Sequence, residues 1–262
     1  MARALVQATM PHKNPGKVEA WGRRNGSFSM LMQPGYVIDR NNQPQNIGLP
    51  FGTKPRLIMA FIASEAVKTR SREVVLGRSL SGFMNQLGLI PTGGRWGNIN
   101  TLKEQMKRLF SATVSFQYDG KTEESGGGFK IANHFLWVWE SGSPRQATLW
   151  ESTVTLTQEF YDEIINRPIP LDMRALSALK GSSLAIDIYC WLTYRMSYLK
   201  HSTEISWNAL AMQFGADYTE VRDFKKNFIK QLRKVLVVYD VKASQGEKGL
   251  LLRPSKPHIL ID

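Results

Sequence analysis

Cysteine is nearly missing from this 262-residue sequence: Cys190 stands alone. That excludes an internal disulfide and fits a reducing cytoplasm. Its surroundings, "LAIDIYCWLTYRM", point to a buried thiol rather than a nucleophile. Long apolar runs are absent too. The longest, "LIMAFIA" at 57–63, falls far short of the roughly 20 residues that span a bilayer. The opening "MARALVQATM" lacks the apolar stretch of a signal peptide. A cytoplasmic protein without a membrane partner is therefore expected. Acidic residues are scarce beside basic ones, 22 against 34, for a net charge of +12 and a pI near 9.8. A polyanionic partner follows, nucleic acid ahead of anionic membrane.

Catalytic constellations are also missing. Four histidines, His12, His134, His201 and His258, are scattered without an H-x-H pair or metal-ligand spacing. That argues against the paired-histidine nickases, and the lack of H-x-x-R argues against a tyrosine recombinase. No stretch reads G-x-x-x-x-G-K-[ST], the phosphate-cradling loop of ATPases. The adjacent acids Glu123-Glu124 and Asp162-Glu163 read as surface charge. No enzyme, metal or cofactor is expected.

What is present is a pattern told twice. Residues 1–54 read as an N-terminal arm: Asn25-Gly26 marks a hairpin, and "NNQPQNIGLPFGTKP" a flexible stretch. In 55–140, a buried helix ("RLIMAFIASEAVKT") precedes a short strand ("REVVLG") and a helix capped by Ser79. A glycine-rich turn, "PTGGRWG", leads into an amphipathic helix. "ATVSFQYDG", a "GKTEESGGG" tip and "FKIANHFLWVW" then form a hairpin. In 182–262 the order recurs: "SLAIDIYCWLTYRMSYL", "TEISW", "NALAMQFG", "YTEVRDFKKNFIKQLRKVL", and a hairpin turning at "SQGEKG". Leu102, Met106, Leu109 and Phe110 match Phe228, Leu232, Val235 and Leu236 at one constant offset, with Gly88 and Gly215 within one residue of it. Helix, strand, helix, long helix, hairpin is the order of a winged helix. The fold expected is α+β: two tandem winged-helix domains packed through a connecting strand and two short helices at 141–181, which Pro168 and Pro170 interrupt.

Helical periodicity sorts the faces of the two long helices. In the second, Val221, Phe224, Phe228, Leu232 and Val235 face inward, while Arg222, Lys226, Lys230 and Arg233 line the far side. Such a stripe can track phosphates or enter a major groove, and Thr219 precedes it. In the first, Asn100, Thr101, Glu104, Lys107 and Arg108 fall opposite the apolar side, with Lys103 between. Gly93, Gly94 and Gly97 would let the turn approach a DNA phosphate at the helix N-terminus, helped by Arg95 and braced by Trp96. At the hairpins, Lys121 and Lys130 flank one tip and Lys248 and Arg253 the other, where a wing touches backbone or minor groove.

From about residue 10 onward the chain resembles the RepA family of bacterial plasmid replication initiators. The most specific stretches are "PTGGRWG" and "IYCWLTYRMSYL"; "STVTLTQEFYDEIINRPIPLDMRALSALKG" and "QFGADYTEVRDFKKNFIKQLRKVLVVYDV" agree as well. The resemblance implies binding to repeated double-stranded sites at the plasmid origin, recruitment of the host initiator and helicase, and repression of its own gene. It also implies a switch between an origin-binding monomer and a repressing homodimer. The main alternative is a winged-helix transcriptional repressor with no initiation role. A protein-interaction module that meets acidic proteins through its basic face is a more distant one.

Overall fold

The computed structural model describes residues 2–94, 97–120, 124–139, 151–166, 168–215 and 218–259. The chain opens with a short helix, α1 (Arg3–Gln7), followed by β1 (Trp21–Asn25) and β2 (Phe28–Gln33), then β3 (Tyr36–Ile38) and β4 (Pro44–Asn46). Next come α2 (Thr53–Thr69), β5 (Glu73–Gly77), α3 (Leu80–Gln86) and α4 (Asn98–Ser111). β6 (Thr113–Asp119), β7 (Glu124–Lys130), β8 (Ala132–Leu136) and β9 (Ser152–Leu156) lead to α5 (Gln158–Asn166) and α6 (Met173–Leu179). The last part holds α7 (Ser183–Met196), β10 (Thr203–Ser206), α8 (Trp207–Phe214), α9 (Val221–Val238), β11 (Ala243–Gln245) and β12 (Gly249–Leu252).

Side-chain caps set several helix starts. The hydroxyls of Ser79, Ser182 and Ser206 accept from the amides three residues on, Gly82, Ala185 and Ala209. Each satisfies one amide that has no partner within its helix. α2 and α7 are apolar almost all round and lie in the core, whereas α4 and α9 bury one side only.

The two halves differ in how their strands pair. In the second, β10 bonds to β12 and β12 to β11, so the strand between the first two helices closes onto the hairpin. In the first, β5 bonds to β9, which the sequence placed in the connecting segment, and β9 also bonds to β8. The hairpin β6–β7 instead joins β1 and β2 in a four-stranded sheet ordered β1-β2-β6-β7. The expected strand "FKIANHFLWVW" is thus divided between two sheets.

The glycine run needs a further correction. Gly126, Gly127 and Gly128 belong to β7, opposite Gln117, Phe116 and Ser115. The Phe116 ring lies so close to Gly127 that an added Cβ would sit 3.0 Å from it. The glycines therefore admit close packing within the sheet, and the ladder runs on past them to the pair Asp119 and Glu124.

Nor do residues 1–54 form a loose arm. The Asn25-Gly26 hairpin is present, with Gly26 at φ +59°, but β2 is bonded along its length to β6. Leu49 is buried, and the Phe51 amide donates to Gln105 Oε1 at 2.8 Å, so the stretch read as flexible is docked on α4. The segment also bridges the halves. Gln213 of α8 donates to the Gln7 carbonyl at 3.0 Å, and α1 packs on α7.

Beneath it lies a buried charged knot. Arg56 of α2 gives Nε to Asp187 Oδ1 and Nη2 to Asp187 Oδ2, both at 2.7 Å. Its other donors reach the carbonyls of Met10, Pro11 and Gly52, at 2.7, 3.2 and 2.7 Å, so all five guanidinium N–H groups are used. His12 Nε2 lies 2.8 Å from Asp187 Oδ2. Burial pushes the Asp187 carboxyl up, but the Arg56 charge and the bonds from His12 and Arg56 outweigh it and hold it below the ordinary carboxylate value.

Candidate nucleic-acid interface

α9 carries the clearest basic face. Phe224, Phe228, Leu232 and Val235 are buried, and Phe228 is ringed by Trp207, Phe214 and Phe224 at 5.5–5.9 Å between centroids. That aromatic cluster fixes the rotation of the helix. Arg222, Lys226, Lys230 and Arg233 are consequently all exposed. Arg222 only approaches its neighbour Asp223, at 3.9 Å, and no described carboxylate pairs with the other three. Two members of the expected apolar sets lie at the rim instead: Val221 is 38% exposed and Leu236 37%. Thr219 is exposed in the segment leading into the helix.

The β11–β12 turn is held from below. Glu204 of β10 accepts the amides of Lys248 and Gly249 on one oxygen, both at 2.7 Å, and Gly246 N donates to Gly249 O at 3.0 Å. An added Cβ on Gly249 would fall 1.9 Å from the Ile205 carbonyl oxygen, so the strands can meet there only with glycine. Backbone bonds use the tip's polar groups and leave the Lys248 side chain in solvent. Arg253 is exposed beyond β12, its amide bonded to the Lys242 carbonyl at 2.9 Å.

The corresponding residues of α4 are differently employed. Gly94 adopts φ +83°, and an added Cβ on Gly97 would lie 2.2 Å from the Thr92 carbonyl oxygen, so the tight turn is real. Its amides, however, are occupied from within. Thr92 takes the Asn98 amide on its hydroxyl at 2.9 Å and the Ile99 amide on its carbonyl at 3.3 Å. Asn100 Nδ2 donates to the Gly94 carbonyl at 3.0 Å. The Thr101 hydroxyl donates to Gly97 O and accepts from Lys54 Nζ at 2.6 Å. The turn expected to approach a DNA phosphate through Gly93, Gly94 and Gly97 thus spends its first helix amides on itself.

Arg108 requires the plainest correction. It is turned inward, bonded to Glu104 and, at 3.2 Å, to the Leu49 carbonyl, with its guanidinium 5.3 Å from the centre of the Phe51 ring. Lys103 is half-buried, and burial pulls its ammonium pKa down. Lys107 and Lys130 are exposed. Arg95, Trp96 and Lys121 lie outside the described residues.

Sequence reasoning missed Lys225, Lys234 and Lys242. Lys234 and Lys242 are exposed beside the stripe and the hairpin. Lys225 holds its ammonium 5.3 Å from the Trp207 ring centre. The adjacent Lys225-Lys226 and Arg233-Lys234 pairs were the available signal, since neighbours on a helix are about 100° apart and both can reach one broad face. It also missed an aromatic cleft beside α4, lined by Trp137 and Trp139. Among the described residues no group of three acids, histidines or cysteines could hold a metal, and no helix is long and apolar enough to cross a membrane.

Known proteins place this architecture. A comparison with curated proteins finds no match. Among solved structures the chain is similar to one titled "Crystal structure of SeMet derivatives of domain2 and domain 3 of RctB". The TM-score is 0.61 over 97% of this chain and 99% of that one, at 10% identity. At that identity the likeness shows a shared mixed α/β fold. The family described as "Plasmid encoded RepA protein" matches residues 49–209, which run from the docked Leu49 through α7 and β10 into α8. This chain belongs to the plasmid-encoded RepA family.

Proposed function

We propose that the protein is a plasmid replication initiator that binds duplex DNA through the outer face of α9 and the β11–β12 hairpin. The observation that carries this reading is the row Lys226, Lys230 and Arg233, exposed and without a carboxylate partner among the described residues. It lies on the long helix of a helix–strand–helix–helix–hairpin unit whose first strand bonds to its last. That connectivity supports a winged helix, in which α9 would enter a groove and the hairpin touch the adjacent backbone. The first half has the same element order but a different pairing of β5, and in this reading it is a modified second copy.

Family membership and the net charge of +12 support an origin as the target. Recruitment of a host initiator and helicase, repression of the protein's own gene and a dimeric repressing form belong to the same proposal. The protein would perform no chemistry of its own; cleavage of labelled origin DNA with a divalent metal would overturn that part.

Footprinting on the DNA flanking the gene, at several salt concentrations, tests the reading. Protection of regularly spaced repeats that survives moderate salt is the result expected. A single protected operator would favour a repressor alone. Uniform, salt-labile protection would leave only a basic protein on a polyanion.

A further inference from the structure

We infer that the cleft between α4 and β8 binds single-stranded nucleic acid, with an unstacked base lying against Trp137 and its phosphates beside Lys103 and Lys107. The inference rests on the DNA-binding reading above and assigns a second DNA form to a second site. Among the described residues β8 is an edge strand, bonded to β9, and it packs on α4. Phe135 and Trp137 stack on each other at 4.4 Å and 22°, and Phe110 of α4 supports both from 6.0 and 6.4 Å. The indole so backed lines an open cleft of about 500 Å³.

Lys103, Glu104, Met106 and Lys107 form the opposite wall. Arg108 already holds the Glu104 carboxylate, and Lys107 stands on the same wall. Lys107 is exposed and meets no carboxylate among the described residues. Phe135 and Leu136 remain 36% and 47% exposed beside it. Neighbouring Trp139 is different: its indole N–H donates to Gly77 O at 3.0 Å and its ring stacks on Phe83 at 5.5 Å, so it is structural.

Aromatic faces interleaved with cations are what a single strand requires, because every base has a face to stack and none is hidden by a partner strand. A duplex keeps those faces inside and would offer the indole only its backbone. This division gives α4 a task different from that of α9, and accounts for its three basic residues, Lys103, Lys107 and Arg108, against the six of α9.

The test uses the full chain and three fluorescent probes: a 20-mer of oligothymidine, an unrelated duplex of equal length, and a duplex from the DNA flanking the gene. The single strand should bind more tightly than the unrelated duplex. Trp137→Leu should weaken it about tenfold, Trp137→Phe should preserve it, and Lys107→Glu should weaken it without changing the thermal transition. All three variants should still protect the flanking duplex. Equal binding of oligothymidine and unrelated duplex, or an unchanged Trp137→Leu, would overturn the inference, as would displacement of the single strand by an acidic peptide at lower concentration than by oligothymidine. Loss of flanking-duplex recognition by the unaltered protein would instead overturn the proposed function.

Discussion

α4 and α9 follow the same order of elements along the chain, and Leu102, Met106 and Leu109 match Phe228, Leu232 and Val235 at one sequence offset and are buried like them, yet the polar sides of the two helices have become different things. On α9 the outer face is bare: Lys226, Lys230 and Arg233 meet only solvent among the described residues. On α4 it is partly covered by the segment that holds Leu49 and Phe51, which captures Arg108. A helix's inner face is fixed by its own periodicity, but what its outer face does depends on whether another segment lies across it. In this molecule the N-terminal residues made that choice, covering one helix and leaving the other open.

The same residues fasten the halves together, and breaking that fastening should produce the largest effect. Asp187→Asn removes the charge facing a guanidinium that is 1% exposed. Leaving one partner of such a pair buried costs about 3–5 kcal/mol, measurable by urea unfolding. The pH dependence sharpens the test. The carboxyl's folded pKa is lowered from 3.8, so its contribution is fully present above that value and lost as pH falls through the lower folded pKa. The variant should lack this part of the acid sensitivity. Because α2 and α7 belong to different halves, both halves should lose structure together.

Leu232→Ala should cost about 2–5 kcal/mol by opening a cavity under the stripe, since the side chain is 3% exposed. If α9 is oriented by its buried side, DNA affinity should fall with stability, and a partial rescue at low temperature should restore both.

Arg108→Ala makes the contrast between the helices directly. Its bonds to Leu49 O and Glu104 are structural, so the expected loss is about 1–2 kcal/mol of stability, with duplex affinity unchanged within error. A loss of affinity at constant stability would mean that the inward geometry is abandoned when DNA binds.

The helices were legible in the sequence because caps and a 3.6-residue period are local. Ser79, Ser182 and Ser206 mark helix starts, and the repeat of Leu102, Met106 and Leu109 in Phe228, Leu232 and Val235 survives as six buried side chains. Strand partners were not legible. A period of two tells which side of a strand is buried but not which strand lies at its edge, so β5 gave no hint of β9. Glycine misled for a related reason: at 126–128 it answers to the Phe116 ring on the neighbouring strand, not to a turn. For the interface, helical phase identified which cations of α9 face outward. It could not show that Arg108, in the same phase on α4, would be claimed by a segment more than fifty residues earlier.

The smallest effects, and the most diagnostic, belong to the open stripe. Lys226→Ala and Lys230→Ala should leave unfolding unchanged, because neither side chain has a partner to lose among the described residues. If each neutralises one phosphate, each should lower the slope of log affinity against log salt by about 0.9, and the double variant by about twice that. Lys107→Ala on α4 provides the internal comparison. It too is exposed, and as a duplex contact it would lower the slope as much as either α9 lysine. Assigned to the aromatic cleft, it should instead leave the duplex slope alone and lower the slope for oligothymidine by about 0.7. Equal slopes for all three lysines on duplex DNA would return the two helices to one role, and the covering of α4 by the N-terminal segment would then have no bearing on which DNA it meets.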